Sequence, residues 1–516
     1  MSLLTKLEFY LSERGRFTSF PLHMIGYPIL LMGASILCCL SLSDFSARNM
    51  DPVDIIYFLW ILLGVFCLFF FKAGKPRASV GVLTIVIIYI LVILMAAVPY
   101  MTHGFEWKKS IFEAASGITT TGMTVLDIGE MGTPLIMWRA ITGWLGGLFF
   151  ITLFSLYISE FGLAGRYLFT SGNSSVDSDV YKPKVMKIAV RYLEIYLAST
   201  VVMALLLKIT GIDMITSSVL ALSTVSTTGF TTAAGIGDLS SVAKMIIALF
   251  MAVSMFNFTT TFVAVTHRSF RPMLKDNETI YVAVWLTLIG IIGLVLLQED
   301  GLLPDSFKAY VDYLMVLFSA ASTTGFVVHD FAWSSSMVLI MCLAAIVGGS
   351  IDSPTGGLKV ARMAIALKIM KHQVNEVAFP NEVYTIRIRN VNVSRDLAYA
   401  ALLTILIFLI VLVGGTILIS FTELDMESAL FLATSALTTT GPGLYTLGSM
   451  SDINTFATYV CFALMIIGRL EAVLFVMMLT PDFWRDLFSN TNRFRWLTNG
   501  RRPRFLSRLG SRDRRR

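Results

Sequence analysis

Charge is scarce in this chain. Asp, Glu, Lys and Arg make up 14% of 516 residues, while 56% are hydrophobic and mean hydropathy is +0.75. A water-soluble globule cannot cover that much apolar surface, so the solvent is lipid. Cysteine is scarce too. Cys38, Cys39, Cys67, Cys342 and Cys461 all lie in apolar runs, with neither metal-ligand spacing nor a disulfide framework, and read as small core residues. The histidines His23, His103, His267, His329 and His372 never pair at i, i+3 or i, i+4, which argues against a metal site. No Gly-rich loop ends in Lys-Ser/Thr, and no dinucleotide fingerprint follows a strand. The chain is therefore expected to be no enzyme, with no ATPase, redox domain or organic cofactor of its own.

What is present is length of apolar run. Residues 24–42, 55–71, 80–98 and 245–266 contain no Asp, Glu, Lys or Arg, and about 20 helical residues cross ~30 Å of hydrocarbon. The first run begins late and many follow, so no cleavable signal peptide is expected.

Basic residues fix the sidedness of the loops. Lys6, Arg14 and Arg16 precede the first span, and Lys72, Lys75 and Arg77 follow the second. Arg166, Lys182, Lys184, Lys187 and Arg191 follow the fourth, and Arg268, Arg271 and Lys275 the sixth. Lys368, Lys371, Arg387, Arg389 and Arg395 follow the eighth. From Arg485 onward the tail holds 11 arginines, whereas loop 43–54 carries Asp44, Asp51 and Asp54 against Arg48 alone. Ten crossings with both termini cytoplasmic satisfy this alternation: 24–42, 55–71, 80–98, 134–158, 188–209, 243–266, 279–297, 335–370, 397–420 and 452–480. The count works only if four further apolar segments dip in from outside and return.

Those segments end in a repeated tetrapeptide: Thr119-Thr120-Thr121-Gly122, Ser226-Thr227-Thr228-Gly229, Ser322-Thr323-Thr324-Gly325 and Thr438-Thr439-Thr440-Gly441. The glycines are 107, 96 and 116 residues apart. Four copies imply four equivalent loops about one axis, an all-α membrane protein with units of helix, pore helix, oxygen-rich loop and helix. The expected divisions are an extra helix hairpin (1–77), repeat 1 (78–185), repeat 2 (186–277), repeat 3 (278–394), repeat 4 (395–484) and a basic cytoplasmic tail (485–516).

The chemistry of the motif suits a dehydrated monovalent cation. Backbone carbonyls replace its hydration without a fixed charge that would hold it too tightly. Glycine reaches positive φ without steric cost and so lets consecutive carbonyls turn inward. Non-helical backbone at this depth is tolerated only beside a watery path. Each half-helix points its C-terminal partial negative charge at that path. Glu106, Asp213 and Asp425 lie 16 residues before their motif glycines, as N-caps; the third copy has Ala309 there, with Asp305 one turn earlier. The alternative for any single copy is an ordinary helix cap at a packing contact.

With these residues in view, the sequence resembles the Trk/Ktr/HKT family of potassium-uptake proteins, most closely the bacterial Trk type. The resemblance rests on the four loops, on Gly348-Gly349-Ser350 and Thr355-Gly356-Gly357-Leu358-Lys359, on Gly468-Arg469-Leu470-Glu471, and on Thr480-Pro481-Asp482-Phe483-Trp484. It implies a pseudo-fourfold pore within one chain of the bacterial inner membrane, a homodimer, and a cytosolic nucleotide-binding ring that controls opening. It further implies potassium as the transported ion, because glycine at Gly122 accompanies potassium selectivity and serine there accompanies sodium permeation.

The eighth span is expected to break at Gly348–Lys359, where the glycines and Pro354 cannot continue a helix without losing backbone bonds. The resemblance makes this an intramembrane gating loop, including Gly348, Gly349, Asp352, Pro354, Gly356, Gly357 and Lys359, and puts an electrostatic obstacle at Arg469. A plain kink or a packing groove is the alternative for the loop, and a local pair with Glu471 or another carboxylate for Arg469. Asp352 and Pro354 depart from the family's glycine- and serine-rich pattern, and Asp352 is read as holding the cation or pairing with Arg469. Lys359 and Arg362 read as snorkelling side chains, Arg139 as an interface anchor. The arginine-rich tail reads as contact with anionic lipid, not nucleic acid. Two functional rivals remain: a secondary transporter coupling potassium to sodium or protons, and a non-conducting membrane subunit.

Overall fold

The computed structural model describes residues 17–18, 20–40, 52–72, 78–160, 178–302, 304–328, 334–378, 387–388, 391–392, 395–422, 424–442 and 453–488. The basic flanks Lys6, Arg14, Arg16, Lys75, Arg77 and Arg166, the acidic loop 43–51 and the tail after Phe488 lie outside them. Among the described residues nineteen α-helices dominate, with only two two-residue ladders, Phe17–Thr18 against Phe71–Lys72 and Arg387–Ile388 against Val391–Asn392.

Helices α1 (Phe20–Leu40) and α2 (Pro52–Phe70) form the hairpin that precedes the repeats. Repeat 1 then runs through α3 (Ala78–Thr102), the half-length α4 (Trp107–Ile118) and α5 (Thr133–Glu160). Repeat 2 follows with α6 (Ser178–Ile209), α7 (Met214–Val225), α8 (Ser241–Met255) and α9 (Phe258–Thr266). After the short α10 (Arg271–Lys275) comes repeat 3: α11 (Asn277–Glu299), α12 (Phe307–Ala321), α13 (Ser335–Val347) and α14 (Val360–Ala378). Repeat 4 comprises α15 (Arg395–Ser420), α16 (Met426–Leu437), α17 (Thr455–Arg469) and α18 (Ala472–Leu479), and α19 (Pro481–Phe488) closes the described chain.

The repeats pack in a closed ring. Helix α5 lies on the next repeat's α7, α8 on α12, α13 on α16, and α17 returns to α4. Each half-length helix is thus held between its own repeat and the preceding one, which aims four helix ends at one axis.

Five described helices are long and apolar enough to cross a membrane, and seven if each bent pair is one span. They carry large apolar side chains outward, as in α11, where Val284 is 60% and Ile291 58% exposed. In lipid these are the solvated faces, and the protein is a multi-pass membrane protein.

Two spans expected to be continuous are broken. Helices α8 and α9 meet at 112°, and α17 and α18 at 101°. At the first break Asn257 leaves the helix and accepts the Thr260 N–H (3.2 Å), restarting the chain as an N-cap does. At the second, Glu471 sits at φ 61°, a left-handed conformation that ends a helix even for a non-glycine residue. The eighth span breaks where expected: α13 stops at Val347 and α14 starts at Val360.

Candidate functional site: a ring of four loops above a break in the third repeat

The four half-length helices stop the same way. The first motif residue caps the helix, and the second is left-handed: Thr120 at φ 54°, Thr227 at 57°, Thr323 at 55° and Thr439 at 53°. The glycines are left-handed too, at φ 81°, 76°, 79° and 82° in chain order. A β-branched residue in that region costs on the order of 1–3 kcal/mol. Its recurrence at one motif position in all four copies marks a conformation the surroundings impose.

The backbone donors are spent inside each unit. The third residue's N–H returns to the helix: Thr121 to Ser116 O (2.8 Å), Thr228 to Ser223 O (2.8 Å), Thr324 to Ser319 O (2.9 Å) and Thr440 to Ser435 O (2.9 Å). The first and third hydroxyls bond one another, Thr119 to Thr121 (2.8 Å), Ser226 to Thr228 (2.7 Å), Ser322 to Thr324 (2.6 Å) and Thr438 to Thr440 (2.7 Å). With the second and fourth motif residues left-handed, the loop carbonyls leave the helical direction.

The loops also touch in order. A Cβ placed on Gly122 would overlap Thr228 O; on Gly229, Thr324 O; on Gly325, Thr440 O; and on Gly441, Thr121 O. The circuit closes on itself. All sixteen motif residues are thereby brought to one buried ring.

N-caps follow the expected register in two copies. Asp213 accepts from Thr216 N (2.9 Å) and Asp425 from Ser428 N (3.1 Å) and its hydroxyl (2.6 Å). The Thr216 N–H and the Ser428 hydroxyl hold these two carboxyls below the usual carboxylate range. Glu106 occupies the cap position without a side-chain bond. In the third copy Ser306, not Asp305, caps the helix through Ala309 N (3.2 Å), because α12 starts three residues earlier relative to its glycine.

Directly against this ring lies segment 348–359. Thr227 Oγ1 donates to Pro354 O (3.3 Å), and Gly356 N donates to Thr323 Oγ1 (2.7 Å). A Cβ on Gly356 would overlap Thr438 O. The corresponding hydroxyls of Thr120 and Thr439 are buried without a hydrogen-bond partner among the described residues. The segment is organised around Thr355 Oγ1, which meets Ser353 Oγ (2.7 Å), Gly349 N (3.2 Å) and Lys359 Nζ (3.2 Å). Its other edge is tied to repeat 2: Ser350 N donates to Met255 O (2.9 Å) and Phe258 N to Asp352 O (3.1 Å).

Several side chains differ from their sequence-based assignments. Asp352 does not reach Arg469; it accepts from Asn257 Nδ2 (3.4 Å), beside Glu278, whose Oε2 accepts from Ile351 N (3.3 Å). Arg469 donates through Nη1 to Pro354 O (2.8 Å), and Glu471 pairs instead with Arg362 (2.7 Å). Lys359 and Arg362 do not snorkel. Both are 2% exposed, because the broken span folds them inward, and Lys359 Nζ donates to Ser353 O (3.4 Å) and Thr355 O. Arg139 is no interface anchor either. It pairs with Glu113 (2.8 Å) and lies 4.2 Å from the Phe230 ring centroid.

Glu113 was missed in the sequence. Its Oε2 accepts from Thr124 Oγ1 (3.0 Å) and Val125 N (3.2 Å), and Arg139 also donates to Thr231 O (3.3 Å), so the pair ties the chain after two motif loops together. Asp312 and Lys244 form a second buried pair (2.6 Å) between repeats 2 and 3. The available signal was an isolated charge in an apolar segment.

Comparison with known proteins agrees with this geometry. The pattern of the TrkH family, described as cation transport protein, matches residues 53–484. The Trk system potassium uptake protein TrkH of Halomonas elongata is 28% identical over 426 residues, covering 79% of this chain and 86% of that protein. TrkG of Escherichia coli (strain K12), a Trk system potassium uptake protein, is 22% identical over 477 residues, covering 90% and 98%. The crystal structure of the potassium transporter TrkH from Vibrio parahaemolyticus superposes with a TM-score of 0.80 at 23% identity, over 90% of this chain and 99% of that one, and so shares its fold. The chain belongs to the TrkH family of cation transport proteins.

Proposed function

We propose that this chain is a gated, potassium-selective channel that mediates potassium uptake across the bacterial inner membrane. The observation that carries the reading is the closed circuit in which each motif glycine abuts the next repeat's threonine carbonyl. A permeating ion at the centre meets carbonyls from all four loops, and no carboxylate is among the sixteen motif residues to trap it. Potassium is the cargo named for the relatives. The membrane potential supplies about 2.3 kcal/mol per charge per 100 mV for inward movement.

Segment 348–359 and Arg469 form the gate in this reading, because they lie against the ring and present a guanidinium where an ion would leave it. The assembly is a homodimer with both termini cytoplasmic, opened by a cytosolic nucleotide-binding ring, as the name "Trk system" for the relatives implies further components. The repeat limits 78–185, 186–277, 278–394 and 395–484 are read as the units of the pore.

The test is ion flux into liposomes containing the purified protein. Potassium uptake well above sodium uptake, with a reversal potential at the potassium Nernst value, is the expected result. A reversal potential displaced by a sodium or proton gradient would instead establish a coupled transporter.

A further inference from the structure

Three buried cations among the described residues have carboxylate partners: Arg139 with Glu113, Lys244 with Asp312 and Arg362 with Glu471. Lys359 and Arg469 form no ion pair among the described residues, although each is only 2% exposed. Among the described residues Arg469 Nε and Nη2 make no hydrogen bond of ordinary geometry, and the buried Tyr89 hydroxyl lies beside the guanidinium. Both cations instead sit over one ring. The Arg469 guanidinium carbon is 4.0 Å from the Phe150 centroid and Lys359 Nζ is 5.6 Å from it.

The position of Phe150 follows from α5. A Cβ on Gly146 would overlap Ile118 O, so α5 packs directly against the residue preceding the first motif loop. Phe150 is one helical turn further along, about 6 Å, and is itself buried. Its ring therefore reaches beneath the loops, where Pro354 O and the Ser353 and Thr355 carbonyls take the same two cations' N–H groups.

We propose that Phe150 is a positioning residue for ion passage, its ring face holding Arg469 and Lys359 together beneath the four loops. The inference rests on the channel reading above. Two like charges in a low-dielectric site repel, and the aromatic quadrupole supplies attraction to both without adding a carboxylate that would neutralise the barrier. Without the ring the guanidinium keeps its hydrogen bond to Pro354 O beside the buried Tyr89, while Glu471 stays engaged with Arg362.

The experiment is potassium flux in liposomes for the parent, Phe150→Leu, Phe150→Tyr, Arg469→Ala and the Phe150→Leu/Arg469→Ala double variant. Phe150→Leu is expected to raise flux roughly tenfold, the scale of a desolvated cation–π contact. Phe150→Tyr restores parental flux, and the double variant conducts no more than Arg469→Ala. Flux unchanged by Phe150→Leu while Arg469→Ala raises it overturns the proposal. Parental flux in both variants overturns it by removing the barrier itself, whereas no potassium flux in any sample sinks the channel reading beneath it. Should Phe150→Leu fold poorly, successive ring fluorination of Phe150 keeps its shape and weakens its π face: flux rising with each fluorine supports the proposal, and flat flux refutes it.

Discussion

Gly122 stands with its Cα against the carbonyl oxygen of Thr228, a residue of the next repeat, so that no Cβ fits between them. The same relation links Gly229 to Thr324, Gly325 to Thr440 and Gly441 to Thr121. Each glycine therefore guards an oxygen in its neighbour's loop, beyond permitting its own left-handed backbone.

A substitution at one glycine should accordingly disturb the oxygen of the following repeat. Gly122→Ser is expected to displace the Thr228 carbonyl and lower potassium-over-sodium permeability at least about tenfold, equivalent to ~1.4 kcal/mol of lost discrimination. Bi-ionic reversal potentials measure it. Unchanged selectivity in a folded Gly122→Ser protein would show that these carbonyls do not bind the ion.

Gly356 bears on the proposed gate in the same manner. Its Cα abuts Thr438 O while its N–H donates to Thr323. A methyl at this position forces segment 348–359 away from the ring, so Gly356→Ala is expected to raise basal potassium flux. Selectivity should be retained, because the affected contact involves the segment and not two neighbouring loops. Flux at or below the parental level would mean that the segment supports the ring without obstructing it.

The repeated loops were legible in the sequence because their local requirement is strict: hydroxyls to close the helix, then glycine at positive φ against a foreign carbonyl. The break at Gly348–Lys359 was legible for a related reason, since its glycines and Pro354 cannot continue a helix. The pairings of Asp352, Arg362, Arg139 and Glu471 were not. They depend on which helices the ring brings together, and Glu471 meets Arg362 across 109 positions of chain. The breaks at Asn257 and Glu471 lacked any proline or glycine to mark them at the bend itself.

Arg469 owes its place to tertiary contacts of that kind. A charge at such depth is costly and persists where it faces a partner or a cavity. Here the hydrogen bond to Pro354 O, the Phe150 ring and the neighbouring Tyr89 hold it. Arg469→Ala is expected to raise potassium flux several-fold, about tenfold if the guanidinium contributes ~1.4 kcal/mol to the barrier. Arg469→Lys should stay near the parent because the charge remains. Liposome flux decides it, and equal flux for the Ala and parent proteins at matched protein content removes the barrier role.

The pair of Glu113 and Arg139 provides a separate test of what holds the ring. Both side chains are buried, and they join the first half-length helix to α5 and, through Thr231 O, to the chain following the second loop. Removing one partner leaves the other charge buried and unpaired, which typically costs about 3–5 kcal/mol. Glu113→Gln should therefore lower the apparent melting temperature in detergent sharply. Replacing both residues, as in Glu113→Gln/Arg139→Met, should recover much of that loss, since no unpaired charge then remains. A double variant less stable than Glu113→Gln alone would mean that Arg139 acts mainly through Phe230 and Thr231, with the carboxylate secondary.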